Sequence, residues 1–517
     1  MTMPLDPALP VPRAGLGLSW PLLVAGGSFL MVFARGQHLL MDADTYWHIA
    51  AGRWMLAHHS IPTVDPFSYT FLGAPWTAHE WLSEIVYAAT YAIGGWSAVV
   101  AIATAAFAAA LAVLTRYLLR HLVPIHALAF VGLSVALMIP HLLARPHVLA
   151  APVLVGWAVA LVRARESNRA PALWLTPLMT LWANLHGSFP FGLALAGAFA
   201  TEAVTVAGDA NARWRAVRQW GVFLITAVLA ALMNPRGIYG LVFATDMLHM
   251  NYALAHVSEW QSPNFNTFEP LEVLLLVAAA VSLTRGLRLP PLRIVMLLGL
   301  LHLSLKHIRH ADLLAWLAPI VAAQPLASQL SHTGDQANQA VNLDRIFVAL
   351  ARPAKPIASA GVLLMLAVVV MTGIRFSELR PPAGITPEAA LSAVRIGFPG
   401  GAALLPGPVL NDYGFGGYLI YVGIRPYIDS RADLYGDAFL SNFARALDLK
   451  SPELLPDLLA RHHIGWTLLK PDQAAVALLD RLPGWRRFYA DDIAVVHVRS
   501  GPDASRTTSP ATTLVPK

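Results

Sequence analysis

Two carboxylates, Asp42 and Asp44, stand two residues apart directly after the first long apolar run. At that spacing in a loop, both can aim at one point. One can serve as general base toward an acceptor hydroxyl or amide, or the two can share a divalent cation, Mg or Mn. The pair also suits helix capping, because Asp is a good N-cap and a helical pattern begins near Thr45. Four cations form the next set: Arg145, Arg236, Lys306 and Arg309. A phosphate-bearing lipid needs such partners, Arg as a bidentate fork and Lys as a point charge. Each alone equally suits snorkelling to ordinary headgroups. Around them stand His79-Glu80-Trp81, His147, His186, Glu259-Trp260 and His307 with His310. The 19 histidines include no HExxH or other tight ligand spacing, so a single His reads first as a hydrogen-bonded structural residue. Glu80 and Glu259 each precede a Trp, a common interfacial anchor. Cys is absent, which excludes disulfides and thiolate chemistry.

These residues need elements that bring them to one place, and the composition says which kind. Of 517 residues, 56% are hydrophobic and 13% charged, about half the usual charged share of a soluble domain. Too few charges remain for a polar shell, which excludes a soluble enzyme and a disordered chain. The pI of 9.6 reflects an excess of only +6, in short clusters between apolar runs, so a nucleic-acid partner is excluded as well. Bilayer-length apolar segments fall at 16–35, 96–119, 125–143, 147–163, 171–187, 190–207, 217–233, 269–284, 289–304, 310–325 and 356–375. The first reads as a retained transmembrane helix, since no cleavage site follows it. With the N-terminus in the cytoplasm, the inner segments hold fifteen Arg and Lys and the outer ones before the tail hold six, as the positive-inside bias requires. The polar clusters named above then all map to the outer face, where ionisable groups are commonly functional. The inner segments hold arginines and little else.

The fold class expected is therefore a polytopic α-helical membrane protein of about eleven transmembrane helices, with a small C-terminal extracytoplasmic α/β domain. Residues 1–375 form the transmembrane domain with a first outer loop at 36–95, and 376–499 the periplasmic domain. In that domain Tyr418–Val422, Gly465–Leu469 and Ile493–Val498 read as strands, and Asp437–Leu449, Pro452–Arg461 and Gln473–Leu482 as helices. The Ser/Thr/Pro-rich stretch 500–517 reads as disordered and 326–346 as a mobile connector. Two glycine- and aromatic-rich runs, 411–418 and 429–436, would let a sugar ring approach the backbone. They equally fit a set of turns closed by an internal Asp–Arg salt bridge.

The run Asp44-Thr45-Tyr46-Trp47-His48-Ile49 is similar to the Asp-x-Tyr-aromatic motif after the first span of oligosaccharyltransferase catalytic subunits. More closely, Asp42–His59, Asp65-Pro66-Phe67-Ser68-Tyr69-Thr70, His79-Glu80-Trp81-Leu82, Glu259–Pro263 and Ile428–Asp433 resemble a group of bacterial GT-C-like membrane proteins. The resemblance spans nearly the whole chain. It implies a GT-C glycosyltransferase that takes a sugar from a polyprenyl-phosphate carrier on the non-cytoplasmic face of the inner membrane. It also implies that Asp44 first, and Asp42 second, is the catalytic base or metal ligand. The acceptor is an extracytoplasmic lipid, glycan or protein. A non-catalytic lipid-binding or envelope-polysaccharide assembly protein on the same scaffold is the alternative. A transporter ranks last, because its polar residues would sit near the bilayer midplane within paired repeats.

Overall fold

The structure is a computed structural model that describes residues 17–331, 342–376, 379–398 and 407–500. The expected disordered tail from 501, the middle of the connector at 332–341, and Arg13 lie outside the described residues. In chain order the helices begin with α1 (Trp20–Ala34), α2 (Gly36–Leu39), α3 (Asp44–His58) and α4 (Trp81–Leu118). There follow α5 (Pro124–Met138), α6 (Pro146–Glu166), α7 (Thr176–Leu185), α8 (Phe189–Thr205) and α9 (Ala210–Ala231). Next come α10 (Tyr239–Leu248), α11 (Asn251–His256), α12 (Pro270–Arg285), α13 (Pro291–Lys306) and α14 (Ala311–Ser331). The last are α15 (Asn342–Leu350), α16 (Pro356–Phe376), α17 (Glu388–Gly397), α18 (Gly416–Tyr421), α19 (Ala432–Leu447), α20 (Leu454–Arg461) and α21 (Ala474–Leu479). Four strands, β1 (Val409–Asn411), β2 (Trp466–Leu469), β3 (Trp485–Ala490) and β4 (Val495–Arg499), complete the described elements.

Among the described residues, contacts divide the chain into two compact units. One comprises Met1–Leu40, His79–Asp246 and Ala255–Arg380, the other Met41–Ala78, Met247–Leu254 and Pro381–Lys517. The division differs from a single cut at 375/376, because most of the first outer loop groups with the C-terminal region.

In the first unit a helix occupies each of the eleven apolar segments. The chain is a multi-pass membrane protein. Five helical stretches are long and apolar enough to cross a bilayer, Trp81–Leu118, Pro124–His141, Pro146–Glu166, Ile308–Leu330 and Pro356–Phe376, while Trp20–Ala34 and Phe189–Thr205 are shorter apolar helices. Helix α7, with ten residues, is about 15 Å long, half the roughly 30 Å hydrocarbon core. Helix α4 packs on α1 and α6. It starts at Trp81, well inside the segment expected as outer loop, and bends at Gly94-Gly95, where Gly95 takes φ 59°. Helix α16 leaves Leu363, Leu364, Val368 and Met371 exposed, as a lipid-facing helix must.

The end of this unit where α4 and α6 finish holds acids as well as arginines, contrary to expectation. Arg293 Nε donates to both Glu202 oxygens (2.9 and 3.1 Å) and its Nη1 to the Val321 carbonyl (2.8 Å). Tyr117 donates to Glu166 (3.0 Å). Arginines that topology places at this end are thus partly buried and paired, and the positive-inside count could not reveal their partners. The expected connector is also corrected: helix α14 continues to Ser331, carried past Pro325.

The second unit is built on a four-stranded sheet of order β1-β2-β4-β3, with β1 and β2 parallel and the other pairs antiparallel. The strands expected near 465–469 and 493–498 and all three expected helices are present. Tyr418–Val422, however, belongs largely to helix α18. Glycines permit this. A Cβ on Gly416 would lie 2.2 Å from the Ile428 carbonyl oxygen, and one on Gly417 2.9 Å from that of Ala43, so α18 packs its backbone against 428–429 and against the start of α3.

The centre of this unit is ionic. Arg431 donates through Nε and Nη2 to the two oxygens of Asp429 (both 2.7 Å) and through Nη1 to Asp65 (2.8 Å). Tyr435 donates to Asp429 (2.7 Å), and the amides of Phe67 and Ser68 donate to Asp65 (2.9 and 3.0 Å). All three charged residues are at most 2% exposed. The guanidinium also lies 4.6 Å from the Trp76 ring. Residues 65–71 are further bound by Thr70 donating to the Tyr427 carbonyl (2.7 Å) and Tyr69 to that of Val409 (2.9 Å).

Arg431→Met leaves two buried carboxylates facing each other without their cation. Removing one partner of a buried pair costs about 3–5 kcal/mol, so R431M should sharply lower the unfolding midpoint in detergent; an unchanged midpoint would contradict this account. A second expectation concerns pH. Burial holds His497 below its ordinary 6.5, against the opposing hydrogen bond to Asp480 (2.9 Å). Between the folded value and 6.5 the unfolded chain binds more protons, so stability falls as pH drops through that window. Melting curves from pH 7.5 to 5 should show the loss, and His497→Gln should flatten it.

Candidate functional site

Within the first unit, the starts of α4, α6 and α14 and the finish of α7 come together. Tyr87 of α4 donates to the Arg145 carbonyl (2.9 Å), Ser83 to that of Leu185 (2.7 Å), and Trp81 Nε1 to Asn184 Oδ1 (2.7 Å). His147 faces Asp312 across 3.8 Å and lies 6.1 Å, ring to ring, from His186. Three helix N-termini at one end supply partial positive charge, which favours an anion there. The local sequence sets this up. Pro146 in the first turn of α6 forces Arg145 into extended backbone (φ −120°, ψ 162°), so Arg145 stands at the helix entrance.

Arg145 Nη1 donates to both oxygens of Glu259 (2.9 and 3.0 Å). Burial would raise the Glu259 carboxyl, but the charges of Arg145 and Arg309 hold it down to about 2, so it is ionised at any physiological pH. Arg309 lies over the Trp260 ring at 4.2 Å. The loop carrying Glu259 is laced to the turn before α14: Ile308 donates to the Gln261 carbonyl (2.9 Å), and His307 Nδ1 donates to that of Trp260. His310 is buried against Trp260 and Phe191.

A second carboxylate is held with fixed direction. Trp182 Nε1 can only donate, and it does so to Ser188 Oγ (3.0 Å). The Ser188 amide points at His186 Nδ1 (3.1 Å), so Nδ1 accepts and the Ser188 hydroxyl donates to it as well (2.7 Å). The ring hydrogen then sits on Nε2, 3.2 Å from Glu80. His79 Nε2 approaches the same Glu80 oxygen at 3.8 Å.

Arg145, His147, Glu259, Arg309 and His310 are thus brought together, and His79 joins Glu80. Arg236 and Lys306 are not: Lys306 is exposed at the end of α13, Arg236 is half-buried in the turn after α9, and neither meets the Arg145–Glu259 pair among the described contacts. Asp312 was missed by sequence reasoning, since a single acid inside an apolar run carries no motif; its place two residues after His310 is the signal available. The acidic pair lies in the second unit. There the Asp44 amide donates to Asp42 Oδ1 (2.9 Å), which turns the chain toward α3, while the cap position itself is Ala43 and makes no side-chain cap bond. Among the described residues no group of three or more His, Asp or Glu is placed to hold a metal ion. The second glycine run is closed by the Asp429–Arg431 pair, as the turn alternative has it.

The chain aligns with the archaeal oligosaccharyltransferase AglB from Archaeoglobus fulgidus, solved in complex with an inhibitory peptide and a dolichol-phosphate. The TM-score is 0.50 at 12% identity, over 87% of this chain and 70% of that one. The fold is GT-C-like. Two structures of ArnT from Cupriavidus metallidurans also align, each over 92% of this chain and 98% of theirs. One is bound to undecaprenyl phosphate (TM-score 0.45, 13% identity) and one is in the apo state (0.48, 15%). No protein-family model and no curated sequence matches the chain.

Ser188→Ala removes the acceptor of the buried Trp182 indole, which is 2% exposed. An orphaned buried donor costs about 1–3 kcal/mol, so S188A should lower the thermal midpoint in detergent, and Ser188→Thr should restore most of it.

Proposed function

We propose that the protein is a membrane glycosyltransferase that moves a sugar from a polyprenyl-phosphate carrier to an extracytoplasmic acceptor. The observation that carries this is the gathering of Arg145 and Arg309 with the N-termini of α4, α6 and α14, on a fold shared with an enzyme solved with dolichol-phosphate. In this reading the carrier phosphate is the anion that end of the first unit receives. The outer face is the periplasmic side of the inner membrane, and the N-terminus is cytoplasmic.

Asp44 is the proposed base or metal ligand, because Asp42 already has a hydrogen-bonding task at the start of α3. A divalent cation, if used, would need ligands beyond the pair. His79, Glu80, His147 and His310 would orient the carrier and sugar, with Arg236 and Lys306 reserved for headgroups further out. The pairing of Arg145 with Glu259 favours the second reading, a scaffold that binds lipid without chemistry, since it already neutralises one cation.

Asp44→Asn should lower turnover by roughly 10²–10⁴ with the melting temperature unchanged. Asp42→Ala should instead remove the hydrogen bond to the Asp44 amide and cost about 0.5–1.5 kcal/mol of stability at the helix start. Native mass spectrometry of the purified protein should find a polyprenyl phosphate or its glycoside, depleted in Arg145→Ala and Arg309→Ala. Bulk phospholipid alone, equal in all variants, would return the protein to the scaffold reading.

A further inference from the structure

The transferase reading leaves Asp312 without a task and gives His147 only an orienting one, and their geometry provides more. Asp312 lies in the first turn of α14 and His147 in that of α6. Asp312 Oδ2 faces His147 Nε2 at 3.8 Å. The other oxygen, Oδ1, is closed off from solvent and has no hydrogen-bond partner among the described residues. A carboxylate oxygen in that state is costly unless a ligand or a tightening of the pair satisfies it. Catalytic hydrogen bonds are often long before substrate binds. The imidazole, in contrast, keeps 29% of its side-chain surface exposed, so a ligand can reach the ring while Nε2 faces Asp312.

Charge gives the pair its purpose. His147 is faced by Arg145 beside it on the chain, by Arg309 and Asp312 from the start of α14, by Glu259, by His141 and by His186. Counting Glu80, which pairs with His186, the end holds three carboxylates against two guanidiniums. The carrier phosphate is a singly charged diester while the sugar is attached and becomes a monoester when that bond breaks, and the monoester's second ionisation lies near 6, so the leaving oxygen gains charge and basicity together. The charge of the phosphate beside the ring is what holds a proton on it.

We propose that His147, oriented by Asp312, protonates the phosphate of the lipid carrier as it leaves the sugar; this rests on the transferase reading above. The acceptor oxygen bonds to the anomeric carbon and gives its proton to the base. The bond from that carbon to the phosphate oxygen breaks, and its electron pair stays on the oxygen. That oxygen takes a proton from His147 Nδ1, and the ring regains one from solvent. Nothing is oxidised or reduced. Asp312, acting through the imidazole, is a positioning residue.

The test is proton linkage in binding, which needs no knowledge of the sugar. The full chain in nanodiscs is titrated with undecaprenyl phosphate between pH 6 and 9, with quenching of its tryptophans as the signal. A complex that holds one proton between phosphate and imidazole must draw it from solvent above neutrality. Its Kd then rises about tenfold per pH unit from about 7 to 9. In His147→Asn and in Asp312→Asn the rise should flatten to less than about threefold over that range. A slope that persists in both variants, or a flat Kd in the wild type, overturns the proposal while leaving lipid binding intact. If the wild type does not bind the lipid phosphate at all, the carrier reading itself fails. Should a variant not fold, the wild-type slope and the other variant still decide.

Discussion

A charge taken to the end of an apolar helix must be met by an opposite charge, a dipole or water, because an unpaired ion in a low-dielectric setting costs several kcal/mol. This constraint organises both units. Glu202 meets Arg293 at one end of the first unit, Glu259 meets Arg145 at the other, and Asp65 and Asp429 enclose Arg431 in the second. The pairs differ in burial, and that difference separates architecture from chemistry. Arg293 and Arg431 are each 2% exposed and have their donors spent on neighbours. The Glu259 side chain is 34% exposed, so solvent screens its pull on Arg145. A phosphate can then compete for a cation that the closed pairs would not release.

The second unit shows how one such pair substitutes for a large core. Residues 65–71 of the first outer loop form no helix or strand of their own. Tied to Arg431 through Asp65 and to the strand region through Tyr69 and Thr70, residues 65–71 become part of the C-terminal fold. Trp76 lies under the guanidinium and 6.4 Å from Trp47 of α3. The helix that begins with Asp44 is therefore braced from the same centre that closes the sheet.

Much of this was legible in the sequence, and the failures have physical causes. Hydropathy located a helix in every expected apolar segment, because lipid demands that backbone groups be satisfied within the helix. It misplaced the start of α4, since residues 81–93 are less apolar than the run after Gly95 and look like loop by composition. The strand reading of Tyr418–Val422 followed its aromatic and β-branched residues, but Gly416 and Gly417 allow a backbone approach that only a helix exploits there. Strand β3 was invisible because Arg486 and Arg487 interrupt its alternation, as suits an exposed edge. Of the residues expected at the site, Arg145, Glu259 and His147 stand together, while Asp312 needed the third dimension.

The location of that cluster follows from how helices start. Residues that begin a helix are polar or follow proline for backbone reasons, since the first four amides lack partners within the helix. In a membrane bundle, helices of like direction put those starts at one level. The starts of α4 and α6 meet through Tyr87 and Arg145, and Tyr117 near the end of α4 reaches Glu166 and Ile320, so the helices run alike and three separate stretches of sequence bring Glu80, Arg145 with His147, and Arg309 with Asp312 to one end. Their amide dipoles add to the arginine charges, while the carboxylates limit the total. An end composed this way attracts an anion yet penalises each additional negative charge placed on it. A phosphate that gains charge on leaving a sugar meets both conditions, which makes a proton source beside the arginines the consistent companion to them.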